Sequence, residues 1–155
     1  MRRNLEIILA GPAQGRQVID FAKEACRELG HEFGDPQRDS LRQLLVDAAA
    51  GRIYMPFYKG IPAGIVVVVF RLSIASGGRG AVIDHLYLAP RFRELGLESR
   101  TLKAVVRDLE AFGLLEVCFF SAGAGRHDQL LIEEGFELRT GQFFCRPLIR
   151  DSEEL

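Results

Sequence analysis

The spacing of apolar positions changes several times along the chain. Leu5, Ile7 and Leu9 alternate around Glu6 and Ile8, the two-residue period of a strand, and Gly11-Pro12 ends it. Val18, Ala22, Ala25, Cys26 and Leu29 then recur at helical spacing, predicting a helix that stops at Gly30. A second stripe, Leu41, Leu44, Leu45, Ala48 and Ala49, predicts another helix, capped by Asp39 or Ser40 and closed by Gly51. After it, residues 52–58 read as a strand and Lys59-Gly60 as a tight hairpin turn. Residues 65–70 form a β-branched and aromatic run, the signature of a strand covered on both faces. Residues 76–80 make a glycine-rich hairpin loop, and residues 81–88 the next strand, stopped by Ala89-Pro90. Leu97, Leu102, Val105, Val106 and Leu109 define a long amphipathic helix ended by Gly113. Residues 115–120 read as a buried strand and residues 126–134 as a short helix. Two last strands, residues 136–139 and 142–147, flank the turn Thr140-Gly141.

The resulting order, β-α-α-β-β-β-α-β-α-β-β, predicts an α/β (α+β) fold. Its sheet is mixed and mostly antiparallel, with about seven strands and helices on both faces. The strand-helix-strand passage across residues 81–120 implies a right-handed crossover and one parallel pair. A length of 155 residues fits a single domain over residues 1–150, followed by an acidic tail at 151–155.

Composition narrows the function classes. Twenty basic and 21 acidic residues give a net charge of −1, which argues against a nucleic-acid binder. The apolar stretch after Met1-Arg2-Arg3 is short and holds Glu6, unlike a signal peptide. The longest apolar run, residues 61–70, falls far below the ~20 residues of a membrane span. The expectation is a soluble protein without membrane association. Cys26, Cys118 and Cys145 are odd in number and widely spaced, which suits neither a disulfide framework nor a zinc site. Each has apolar neighbours, so three buried thiols and a cytoplasmic location are expected.

Sixteen glycines are an excess for this length, and glycine serves turns or backbone pressed close to a ligand. The segment AVIDHLYL leading through APRFRELGLESRTL runs from a strand into the start of a helix. Free backbone N–H groups and the helix dipole at such a start favour an anion.

With the order of elements, this segment resembles the GNAT superfamily of acyl-CoA-dependent N-acetyltransferases. The similarity extends over nearly the whole chain. GRIYMPFYKGIPAGIVVVV resembles the paired strands that precede the family's cofactor strand, LIEEGFE its segment ending in Gly-Phe, and Pro90 its proline after that strand. The cofactor loop of the family reads Arg/Gln-x-x-Gly-x-Gly/Ala, and Arg93 and Gly96 match its first two fixed positions. Glu98 stands where the family has glycine or alanine, and Glu94 at a position that is often glycine. Both carboxylates oppose a pyrophosphate, with Arg91, Arg93 and Arg100 near enough in sequence to offset them.

The resemblance implies acetyl-CoA as co-substrate. It assigns backbone pairing of the pantetheine arm to Leu86, Tyr87 and Leu88. It places the pyrophosphate on the loop of Arg93, Glu94, Leu95, Gly96, Leu97, Glu98 and Ser99. A β-bulge is expected to splay the cofactor strand from residues 115–120, with the thioester in the opening. Asp84 matches an acidic residue that serves as base in several members, and its role here is base or amine anchor; the alternative is a structural carboxylate. His85 stands beside it, and neighbours in a regular strand point to opposite faces, so no dyad is expected. The family's proton-donor tyrosine falls on Leu131, which cannot donate, and its loop asparagine is missing from residues 121–125. His127 or Ser121 can substitute, while His127 and Asp128 fit equally well as helix caps.

Two functions follow. The first is transfer of an acetyl group from acetyl-CoA to a small-molecule amine or amino acid by direct attack. The second is a catalytically impaired GNAT-fold module that binds CoA weakly, or a protein partner, in a regulatory role. Glu28, His31, Glu32, Asp35 and Asp39 form either an acidic rim for a cationic amine or a solvated face. Tyr54 and Tyr58 either line the cleft or pack. A homodimer is compatible with the fold.

Overall fold

The computed structural model describes residues 4–120, 126–141 and 144–148. Strand β1 (Leu5–Leu9) leads through a 3-10 turn at Pro12–Gln14 into helix α1 (Gly15–Leu29). Gly30 ends α1 in the left-handed region (φ 71°), as its position predicts. Helix α2 is Asp35–Val46. It starts earlier than its apolar stripe implies, and neither Asp39 nor Ser40 caps it. Pro36 sits in the first turn, and Gln37 Oε1 accepts the Gly34 N–H at 2.9 Å. Gly51 does not close α2; it opens strand β2 (Gly51–Tyr58).

Lys59 (φ 51°) and Gly60 (φ 76°) both take positive φ, the geometry of a two-residue hairpin turn. Strands β3 (Ile61–Pro62), β4 (Gly64–Ser73) and β5 (Gly78–Leu88) follow. A 3-10 turn at Pro90–Leu95 leads into helix α3 (Leu97–Ala111), strand β6 (Val117–Phe119) and helix α4 (Asp128–Glu133). The sheet has six strands, ordered β1-β2-β4-β5-β6 with β3 on β2. All pairings are antiparallel except β5 with β6. Residues 136–139 are not a strand. Leu138 is almost fully exposed, and among the described residues β6 has a strand partner on one side only. Residues 144–148 lie outside any strand, and 142–143 fall outside the described residues.

Helices cover both faces. Val18, Ala22 and Ala25 of α1 and Leu41 of α2 pack on Ile53, Met55, Ile65, Val67 and Tyr87. On the opposite face Leu102, Val105 and Leu109 of α3 and Leu131 of α4 pack on Tyr54, Val66, Val68, Ala81, Ile83 and Leu86. Successive β4 residues enter opposite cores, which explains their unbroken apolar run. A third cluster, Ala63, Leu88, Phe92 and Leu97, closes the end of the sheet where β5 passes into α3. There β4 presses on β5: a Cβ on Gly64 would strike the Tyr87 carbonyl and lie 2.9 Å from Leu88 Cα. Among the described residues, no helix is long and apolar enough to cross a membrane.

Candidate active site

The site forms where β5 changes phase. Val68 faces Ile83 across the ladder, but Val67 faces His85, leaving Asp84 as an extra residue in a β-bulge. The core assignments record the slip. Ala81 and Ile83 point toward α3 before the bulge, and Leu86 does so after it. Tyr87 points toward α1. One inserted residue exchanges the faces of odd and even positions.

This overturns the expectation that Asp84 and His85 face apart. Both lie on the α1 side, with His85 Nε2 3.7 Å from Asp84 Oδ2. Asp84 is 61% exposed and His85 24%. Burial pulls the His85 imidazole below its ordinary 6.5; the Asp84 charge pulls the other way and His31 adds to the lowering. Cys26 of α1 belongs to the same neighbourhood. Burial, and then the Asp84 carboxylate, push its thiol upward, so it stays protonated and is no nucleophile. Of the three cysteines only Cys26 is buried; Cys118 is half-buried and Cys145 exposed, against the expectation of three buried thiols. Among the described residues, no cluster of side chains suits a metal ion.

The bulge coincides with an opening. The β5–β6 ladder runs from Ala81–Val117 to Ile83–Phe119 and ends one residue before Asp84. From there to Leu88, β5 pairs with β4 on one edge, and no described strand pairs with the other. Leu86, Tyr87 and Leu88 have buried side chains, so they can serve a ligand in the opening only through backbone. The Leu88 carbonyl already accepts from Arg93 Nε at 2.8 Å.

Arg93 is a brace. Its Nη2 donates to both carboxylate oxygens of Glu28, tying the loop to the end of α1. Gly96 takes φ 68° at the start of α3, and an added Cβ there would meet nothing within 4 Å. Gly96, the residue that starts α3, has no side chain with which to cap the first turn. The N–H groups of Leu97, Glu98 and Ser99 therefore lack the side-chain acceptor that usually satisfies them. Glu94 and Leu95 are exposed, whereas the Leu97 side chain is wholly buried.

Glu98 is turned across to α4. Its carboxylate receives Arg126 Nη2 at 2.7 Å and lies 3.1 Å from His127 Nε2. The His127 contact is a close approach rather than an aligned hydrogen bond. Burial raises the Glu98 carboxyl, but His127, Arg126 and Arg93 outweigh it and hold it below the usual range. His127 therefore stands before α4 without capping it, its side chain turned to Glu98 instead.

The remaining candidates fall away from the site. Leu131 is buried against α3. Tyr54 is buried and its hydroxyl donates to Asp108, which Arg52 also holds at 2.7 Å. Tyr58 packs edge-on against Phe92. Of the acidic rim, Glu28 is bound to Arg93, Asp35 to Arg38 at 3.3 Å and Asp39 to Arg42 at 3.5 Å. Ser121 and the position of the missing asparagine lie outside the described residues.

The fold that carries this site superimposes on a set of solved structures. A possible acetyltransferase from Clostridium difficile 630 superimposes with a TM-score of 0.82 at 13% identity, over 96% of this chain and all of that one. The chain has the GNAT acyltransferase fold. An aminoglycoside N-acetyltransferase in complex with CoA matches the GNAT fold of this chain at TM-score 0.77 and 15% identity, over 94% of this chain and 95% of that one. The ribosomal-protein-alanine N-acetyltransferase of Brucella melitensis biovar Abortus 2308 gives 0.74 and 15%, over 92% and 98%. Neither a protein-family model nor a curated protein matches the sequence.

The residues present fit acyl-CoA. The β5 edge that no described strand pairs suits the amides of a pantetheine arm, and the amides at the glycine-started N-terminus of α3 suit a diphosphate. The open space over Gly96 lets that diphosphate approach the backbone.

Proposed function

We propose that the protein is an acyl-CoA-dependent N-acyltransferase acting on the amine of a small molecule or amino acid. The observation that carries this reading is the bulge at Asp84, which sets a carboxylate and an imidazole together at the opening between β5 and β6. Acetyl-CoA supplies an acyl group activated as a thioester. Leu86 and Tyr87 offer backbone to its arm, and Leu97, Glu98 and Ser99 offer N–H groups to its diphosphate.

An amine of pKa ~10 is protonated at neutral pH and cannot attack until it loses a proton. Exposed Asp84 provides a counter-charge for the ammonium. His85, held neutral by burial, accepts the proton at an imidazole nitrogen. As the amine nitrogen bonds to the acyl carbon, the carbon–sulfur bond breaks, the electron pair leaves with sulfur, and the nitrogen gives its second proton to solvent. Leu131 stands where a donor to that sulfur would be expected, so the proton it gains comes from solvent.

The test is acetyl transfer to a panel of amines, followed by release of free thiol. Transfer that falls at least about a hundredfold in Asp84→Asn or His85→Gln supports the reading. A second reading, a CoA-binding module without catalysis, is favoured by the apolar Leu131. CoA binding without transfer to any amine would select it.

A further inference from the structure

The two strands that part at Ile83 and Phe119 continue into two lips. β5 leads to the first turn of α3, and β6 to the residues before α4. One cluster joins the lips. Glu98, on the first turn of α3, reaches Arg126 at 2.7 Å and His127 at 3.1 Å. The His127 ring packs edge-on against Phe119, 5.5 Å between centroids, on the last rung before the opening. Behind it, Ser99 Oγ donates to Glu134 at 2.7 Å and Lys103 Nζ lies 3.5 Å from the same carboxylate, fixing α3 to α4. The cluster therefore stands beside the N–H groups that suit a diphosphate.

Its chemistry is an anion held by a guanidinium and an imidazole beside a helix start. A carboxylate there presents the same negative oxygens as a phosphate and receives the same donors. Glu98 is only 15% exposed, and against that burial its His127, Arg126 and Arg93 neighbours hold its carboxyl below the usual range. The expected cost of a carboxylate at this position, repulsion of the ligand's phosphates, is met by a guanidinium and an imidazole already in place.

We infer that Arg126 and His127 form a seat for the diphosphate of the acyl donor, and that Glu98 occupies this seat as an internal anion until the ligand displaces it. The inference rests on the proposed acyl-CoA reading for the identity of its ligand, but the seat itself is defined by phosphate chemistry. Binding breaks the Glu98–Arg126 pair and releases the Glu98 carboxylate to solvent. Arg126 and His127 then carry the charge-assisted contacts to phosphate oxygens. The loop's glutamate thus becomes a competitor for the phosphate site, and affinity is set by the exchange of one anion for another.

The test uses inorganic pyrophosphate and CoA as separate probes, followed by calorimetry and by the His127 imidazole signals in NMR spectra of the full chain. Glu98→Gln removes the competitor and should tighten pyrophosphate binding about tenfold, the value of one charge-assisted contact. Arg126→Gln should weaken it by a similar factor. In the unsubstituted protein, pyrophosphate should shift the His127 signals, a readout that does not depend on either variant folding. Unchanged affinity in Glu98→Gln, or His127 signals indifferent to saturating pyrophosphate, would overturn the inference. Absence of pyrophosphate binding would also overturn it. If pyrophosphate behaves as expected and CoA does not bind, the seat stands and the acyl-CoA reading fails.

Discussion

Asp84 and His85 are adjacent in sequence yet share one face of the sheet, with His85 Nε2 3.7 Å from Asp84 Oδ2. The bulge opposite Val67 and Val68 produces this pairing. The imidazole, buried and near Asp84 and His31, should titrate below 6.5 in NMR spectra. Asp84→Asn removes the carboxylate that holds it up and should lower the value further. The unfolded chain then binds the His85 proton before the folded one does. Stability is therefore full above about pH 6.5 and falls with pH from there to the folded value. Titration at or above 6.5 contradicts the account.

Two glycines should separate space from backbone conformation. Gly64 has φ compatible with other residues but no room beside the Tyr87 carbonyl; Gly96 has room but φ 68°. Gly64→Ala should cost about 3 kcal/mol or more by forcing β4 from β5. Gly96→Ala should cost only about 1 kcal/mol. Urea unfolding distinguishes them, and equal losses would contradict the packing described.

Tyr54→Phe should lower stability by about 1 kcal/mol, since the buried hydroxyl donates to Asp108. Its hydroxyl proton is held firmly by burial and by that carboxylate. Acetyl transfer should be unchanged, because Tyr54 packs beneath α3 and not at the opening. Loss of transfer with intact stability would place it in the cleft instead.

Most of the fold is legible in the sequence because each element carries its own period. Residues 5–9 alternate and form β1; Val18, Ala22 and Ala25 fall on the buried face of α1; Lys59-Gly60 makes its turn. The start of α2 was written in Gly34-Asp35-Pro36-Gln37 rather than in the apolar stripe, because the first turn is solvated. The bulge is also recorded, in apolar residues that are odd at Ala81 and Ile83 and even at Leu86 and Leu88. A strand read with one uninterrupted period hides that slip, and with it the pairing of Asp84 and His85. The partners of Glu98 and Arg93 come from distant segments, the residues before α4 and the end of α1, which no local spacing reveals. Residues 136–139 alternate like a strand but leave Leu138 in solvent, since pattern alone does not supply a partner.

Arg93 joins Glu28 to the Leu88 carbonyl and so fixes the loop that leads into α3. A double-mutant cycle with Arg93→Ala and Glu28→Gln should show a coupling of about 0.5–1 kcal/mol, as for a partly exposed pair. Arg93→Ala should also weaken CoA binding more than Glu28→Gln does, because only the arginine holds the strand carbonyl. Zero coupling would remove the brace from the account.

We propose that acyl-CoA is held in the opening between β5 and β6. Thermal unfolding with and without acetyl-CoA tests it most directly. At about a hundred times its dissociation constant a ligand adds about 2.7 kcal/mol of stability. For a chain of this length that is a rise in Tm of several degrees, at about 2–4 °C per kcal/mol. That rise is expected; no change in Tm at millimolar acetyl-CoA would contradict binding at the opening.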